Sequence, residues 1–400
     1  MRITSINDAS EVQTVNDRFG EHSGVLQRIL PLTAVMVAWC LLAEITAEPY
    51  IAYREGYKCS VCHVNKTGGG KRNAYGALYT QTELTPLLES LSDGSMEFET
   101  DLNPGISIGV DFMVTHQTQL SVDEALVTAQ VDTVYKQDSA NTFDVESGNL
   151  YVEAVLVPGR MSFYLDETVA HSGASNREAF VLFEGLPASG YVKAGRMLLP
   201  YGIRLWDDES FIRQVTGFNY DNQDIGFEVG FEPQHLSLSV AVSNGSQGAR
   251  DNNEGKQISA VGSVFLPANI MLGGSFARNK SRGVERLAIG PYASARVGPV
   301  TVMGEADWLT DSNGADRDQF VGFASLEYWH QQAVNFRLAY DYLDPYDSIE
   351  EDERSRVTVA AEAFLTHQLT ISATYKLKES IPQDTQGNAD AFRLAAHAFF

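Results

Sequence analysis

The chain is poor in positive charge, in cysteine and in long apolar runs. Its 29 Lys and Arg stand against 52 Asp and Glu, a formal net charge of -23 over 400 residues. A nucleic-acid binder needs basic patches to meet phosphates, so that class is excluded. Only 3 cysteines are present, which excludes a disulfide-rich scaffold. The longest apolar run, residues 29–43, has about 15 residues, whereas a membrane-spanning helix needs roughly 20. What is present is a 44% hydrophobic content, enough to exclude a disordered chain. The mean hydropathy of -0.17 is that of a soluble protein, but it is also that of a transmembrane β-barrel. Strands that alternate apolar with polar residues hide from a hydropathy window.

The run 29–43 follows Arg28 and ends in Ile45-Thr46-Ala47, a small-residue cleavage site. Together they read as a secretory signal over residues 1–47. Trp39 before Cys40 argues against a lipoprotein processing site there. Removal of 1–47 leaves two cysteines, both in Cys59-Ser60-Val61-Cys62-His63. C-x-x-C-H is the attachment sequence of c-type haem. Two thiols add to the two vinyl groups of one porphyrin edge while the adjacent histidine reaches the iron. The competing readings are a redox pair or half a zinc site. Zinc would want two further ligands nearby, and no Cys or His follows before His116. A redox pair would want a βαβ context, which the sequence lacks.

The expectation is therefore one covalent haem c held by Cys59, Cys62 and His63, with His63 on the iron. Met96, Met113 and His116 are candidates for the second axial position, Met96 being the one methionine between His63 and the first strand. Gly68-Gly69-Gly70-Lys71-Arg72 departs from a phosphate loop, with Asn65 at the first glycine position and Arg72 at the Ser/Thr position. It reads as a solvated turn beside the haem, with Lys71 and Arg72 available to propionates.

From Gly105 onward the period is two. Leu236, Leu238, Val240 and Val242 alternate with Ser237, Ser239, Ala241 and Ser243. The same pattern runs through 334–341 and 369–378, which places one face of each strand in an apolar medium. About 16 strands are expected, at 105–117, 147–157, 160–169, 177–186, 190–199, 225–232, 235–243, 257–266, 269–279, 284–297, 299–309, 318–329, 333–343, 354–365, 369–378 and 388–400. Tight links at 158–159, 187–189, 233–234, 267–268, 298, 330–332 and 366–368 alternate with longer polar links such as 200–224, 244–256 and 344–353. Short turns at one end, long loops at the other and an even strand number are the plan of an outer-membrane barrel. The last strand, with Phe392, Leu394, Ala396, Ala398 and terminal Phe400 on one face, resembles the signal read by the barrel assembly machinery.

The expected organisation is a signal at 1–47, a haem segment at 48–103 and a barrel at 104–400. Both ends of an even-stranded barrel lie on the short-turn side, which in this plan is periplasmic. The haem segment enters from there and either leans on the rim or inserts into the lumen. Glu228, Glu232, Glu305, Asp307, Arg337 and Asp341 have inward parity and read as channel lining. The acidic runs 207–209, 221–224 and 350–353 read as solvated loops, with a cation-gathering mouth as the sharper alternative. No nucleophile–base pair, paired catalytic carboxylates or second metal motif is apparent.

One haem-binding segment joined to a porin-sized barrel resembles the fused outer-membrane cytochrome–porin family, best known from iron-oxidising bacteria. Locally the resemblance rests on Pro49, Ala52, Gly56, Cys59, Cys62, His63, Asn73, Tyr75 and Gly76; an arginine of the family pattern falls one place late, at Arg54. Residues 191–204 also resemble a strand and loop of phosphate-selective-type porins. The resemblance implies electron transfer across the outer membrane, from an extracellular donor such as ferrous iron to a periplasmic cytochrome. The alternative is a solute porin whose haem segment acts as plug or sensor.

Overall fold

The computed structural model describes residues 49–400, apart from 85, 89–100, 128–131, 138, 171–172, 208, 252, 282, 315, 332, 351 and 380–388. The expected signal and Met96 lie outside the described residues.

Sixteen antiparallel strands form a closed barrel. The first half is β1 (Ile106–Gln119), β2 (Ala140–Val157), β3 (Met161–Thr168), β4 (Ser175–Leu186), β5 (Gly190–Met197), β6 (Asp224–Phe231), β7 (Leu236–Ser243) and β8 (Gln257–Leu266). The second half is β9 (Ile270–Ser281), β10 (Val284–Val297), β11 (Val300–Ser312), β12 (Asp316–His330), β13 (Val334–Asp344), β14 (Arg354–Thr366), β15 (Leu369–Glu379) and β16 (Ala391–Phe399). Each strand pairs with the next, and β16 returns to β1 in the register Ala391↔Gln119 to Phe399↔Asp111. Closure leaves no unpaired edge, which a strand bundle in lipid requires.

The faces are inverted relative to a soluble sandwich. In β7, Leu236, Leu238, Val240 and Val242 are exposed, whereas Ser239, Ala241 and Ser243 are buried. The outward row is what lipid covers. Aromatic residues bound it at both ends. Trp308, Phe320 and Tyr342 cluster near the long-loop end, and Tyr328 and Phe336 meet near the short-turn end. Phe320 and Tyr328 lie on one strand at a separation of about 27 Å. With strand tilt this projects to roughly the 25 Å apolar band of such barrels.

The seven tight links expected from the sequence all lie at one end. Their backbone is left-handed where the hairpin twist demands it: Ala268 and Asn269 have φ of 63° and 53°. The opposite end is less uniform than expected, because the β9–β10 and β11–β12 links are also short. The expected 118–146 link shrinks to 120–139, since β2 begins at Ala140, and it carries its own hairpin, Val122–Val127 against Asp132–Gln137.

Two segments enter the lumen. The first is the N-terminal plug, with α1 (Tyr50–Glu55), α2 (Cys59–Cys62) and α3 (Ala74–Thr82). The second is the β5–β6 link, 198–223, which carries α4 (Phe211–Thr216). That link was expected as an outer loop. Instead Leu198, Tyr201, Ile203, Leu205 and Ile212 are almost fully buried, and α4 packs on β11, β12 and β13. Carboxylates on the wall hold it. Glu305 accepts from Ile203 N at 2.7 Å and pairs with Arg213 at 2.8 Å. Asp341 accepts from Ser210 Oγ at 2.6 Å. Glu228, Glu305, Asp307 and Asp341 do face inward, but beneath these segments rather than along an open channel.

The candidate haem site in the plug

The plug is too short to fold on helical propensity alone, since its helices have only four to nine residues. Its shape comes from local stitching and from the wall. Gly56 ends α1 with φ 68°. Asn73 caps α3 by accepting from Gly76 N at 3.0 Å. The same side chain donates to Val61 O at 3.1 Å, and its backbone N–H to Cys62 O at 2.9 Å. A side chain at Gly76 would strike Cys62 O at 2.3 Å. The Asn-x-Tyr-Gly sequence is thus the clasp that holds the C-x-x-C-H turn closed.

Contacts with the wall run around the barrel. Tyr50 and Arg54 pack on Trp329, with the Arg54 guanidinium 4.6 Å from the ring centre. Asn269 Nδ2 donates to Arg54 O at 3.0 Å, and Lys58 Nζ donates to Pro233 O at 2.6 Å. Asn65 is fully buried. It donates to both oxygens of Glu178 at 3.0 Å and accepts from Lys193 Nζ at 3.0 Å. Lys193 in turn pairs with Glu228 at 2.9 Å. Lys71 N donates to Tyr164 Oη at 2.9 Å. At the short-turn end the N–H groups of Leu87 and Leu88 donate to Phe364 O and Leu365 O. The plug is therefore inserted, the second of the two placements the sequence left open.

The glycine run is the main correction here. It is no solvated turn. Gly68, Gly69 and Gly70 all have positive φ, and a side chain on Gly69 or Gly70 would collide with the hydroxyl of Tyr220 or Tyr164. Lys71 is buried, and Arg72 lies 3.9 Å above the Phe399 ring.

Cys59, Cys62 and His63 border one cavity between plug, wall and infolded link. Its volume is about 140 Å³, and it is partly open to the outside. The wall contributes Asp111, Tyr151, His397 and Phe399, and the link contributes Arg204, Trp206 and Tyr220. Both cysteines are free thiols. Burial pushes Cys59 up to about 11 and raises Cys62 as well. A redox pair needs the opposite shift. Burial, with Arg72 beside it, pushes His63 down to about 4, so its ring is neutral and able to ligate. His63 Nδ1 lies 3.3 Å from Gly70 O, which suits the tautomer with Nε2 free. Among the described residues, no group of three His, Cys, Asp or Glu side chains lies close enough to hold a metal ion, which disfavours zinc.

The residues fit a covalent haem. Two thiols and a neutral histidine sit on one cavity, and aromatic rings line it. Two buried polar atoms there lack a hydrogen-bond partner, Arg204 Nε and His397 Nδ1. The other expected ligands fall elsewhere. Met113 faces inward but does not border the cavity. His116 lies against Phe143, 4.5 Å between ring centres, on a strand position of outward parity. Two residues of the acidic run at 207–209, expected in a solvated loop or a cation-gathering mouth, have a cation of the wall beside them. Asp207 and Glu209 pair with Lys376 at 3.1 and 2.7 Å.

No protein-family model matches the chain, and neither does any curated protein. Solved structures do. OmpT of Vibrio cholerae, folded in vitro, has 10% identity and a TM-score of 0.57 over 76% of this chain and 100% of its own. The anion-selective porin from Comamonas acidovorans has 11% identity and a TM-score of 0.55, over 74% and 99%. The outer-membrane channel DcaP of Acinetobacter baumannii has 9% identity and a TM-score of 0.53, over 76% and 99%. At such identities the likeness shows the fold alone, that of porin-type β-barrels.

Proposed function

We propose that the chain is an outer-membrane electron carrier with one covalent haem c in a barrel plug. The observation that carries this reading is the meeting of Cys59, Cys62 and His63 on one cavity inside the barrel. The haem would supply a one-electron couple whose potential the pocket sets. The chain's own residues do the rest. Cys59 and Cys62 would hold the porphyrin edge, and His63, steadied by Gly70 O, would present a neutral nitrogen. Arg204 and Arg72 would offer positive charge to propionates, and aromatic rings line the closed side of the pocket. A porphyrin is larger than the cavity, so the reading requires it to occupy the open side as well. An accessible edge is what exchange with an outside partner needs. In this orientation the short-turn end faces the periplasm and a periplasmic cytochrome, and the long loops face an extracellular donor such as ferrous iron.

Anaerobic stopped-flow mixing of detergent-purified protein with ferrous iron, followed at the Soret band, tests this. Reduction of the haem is expected. A haem inert to ferrous iron and to every other extracellular-type couple would sink the electron-carrier reading.

The second reading is a solute porin with a haem-bearing plug. Two observations favour it: the likeness to porins, and a polar cavity of about 460 Å³ beside the infolded link, lined by residues such as Asn222, Arg250, Asn279 and Arg286. Bilayer conductance to small ions that does not respond to haem redox state would support it over the first.

A further inference from the structure

We propose that His397 is the second axial ligand of the haem held by Cys59, Cys62 and His63, binding through Nδ1. This rests on the haem reading above. His397 lies on β16, on the inward side, and is 2% exposed. It borders the same cavity as the C-x-x-C-H turn. Its Nε2 lies 2.7 Å from Asp111 Oδ2, and Ser147 Oγ donates to the other oxygen of that carboxylate. Its Nδ1 is buried without a hydrogen-bond partner. A buried imidazole nitrogen left bare costs free energy unless something occupies it. The carboxylate makes the assignment specific. Nε2–H donating to Asp111 leaves Nδ1 as the lone-pair nitrogen, and a histidine fixed by a carboxylate is the usual form of a metal-ligating imidazole.

The other candidates are less well placed. Met113 lies two residues beyond Asp111 on β1, away from the cavity, with its sulfur 3.7 Å from Arg393 Nη2. His116 has outward parity. Trp206 and Phe399 flank the His397 ring, with ring centres 6.3 and 5.1 Å away, and restrict its rotation. Ligation by His397 would leave no open iron position for dioxygen, which suits a carrier and not an oxygen-binding protein.

The test uses the full-length protein in detergent, by electron paramagnetic resonance and near-infrared magnetic circular dichroism of the oxidised state. The wild type should give a low-spin signal with the charge-transfer band of two nitrogen ligands. His397→Ala should lose that signal, become high-spin and regain the low-spin state on addition of free imidazole. A histidine–methionine band or a high-spin wild type would overturn the assignment, even if the variant fails to assemble. So would a His397→Ala protein with an unchanged low-spin spectrum. Each of these results leaves the haem reading standing. Absence of covalent haem from the wild type would instead overturn that reading, and this proposal with it.

Discussion

The wall and the plug are held together by different physics. In the wall, each strand bonds to two neighbours in long ladders, a few of them bulged, and the thirteen-residue register of β11 on β12 runs unbroken from Val300↔Tyr328 to Ser312↔Asp316. No single side chain is needed for that. The plug has short helices, a few clasps such as Asn73, and side-chain anchors spread over many strands. From this contrast the wall is expected to stand without the plug, whereas the plug, with helices this short, is expected to depend on the wall.

The sharpest way to break the comparison is to remove both thiols. Cys59→Ser/Cys62→Ser is expected to abolish covalent haem and to loosen the plug, leaving a barrel that still shows heat-modifiable mobility on electrophoresis. Single-channel conductance should rise well above that of the wild type. An unchanged conductance would mean that the plug holds without its cofactor.

A smaller effect is expected at the plug–wall seam. Lys193 is fully buried between Glu228 and Asn65. Removing one partner of a buried pair costs about 3–5 kcal/mol. Lys193→Met should therefore raise protease cutting of residues 49–88 while strands β1–β16 stay protected. Equal loss of protection in both regions would show that wall and plug fold as one unit.

The mildest effect is that of pH on haem-free protein. The fold favours neutral His63, shifted from the usual 6.5 to about 4 by burial. Between these values the unfolded chain binds the extra proton and the folded one does not, so stability falls on acidification across that window and is full above it. In the thiol-free double variant, plug protection should fall as pH drops from about 6.5 to about 4, and His63→Phe should flatten the curve. A flat curve with His63 intact would remove this group from the account.

The same contrast decides what was legible in the sequence. All sixteen strands could be read because lipid outside and packed polar groups inside impose a strict period of two, with Leu236 to Ser243 as the clearest case. The meeting of Cys59, Cys62 and His63 in one turn was legible from five consecutive letters. The infolded link was not read, although its signal was there: Tyr201, Ile203, Leu205 and Ile212 are too apolar for an outer loop, and all are buried. The last strand shows Phe392, Leu394, Ala396 and Ala398 on its outward face, and the alternation that reveals them also gives His397 inward parity with Ala395 and Phe399. The burial of Lys71 and the stacking of Arg72 have no sequence signal at all. They depend on Tyr164 and Phe399, each far away in the chain.

Covalent haem on Cys59 and Cys62 is tested most directly by the intact mass and reduced optical spectrum of the wild-type protein after denaturation. The prediction is a mass increased by one haem and a c-type spectrum, both persisting in denaturant and both lost in Cys59→Ser/Cys62→Ser. Wild-type protein, matured in a host able to attach haem c, that carries no such mass would contradict it and leave a plugged porin.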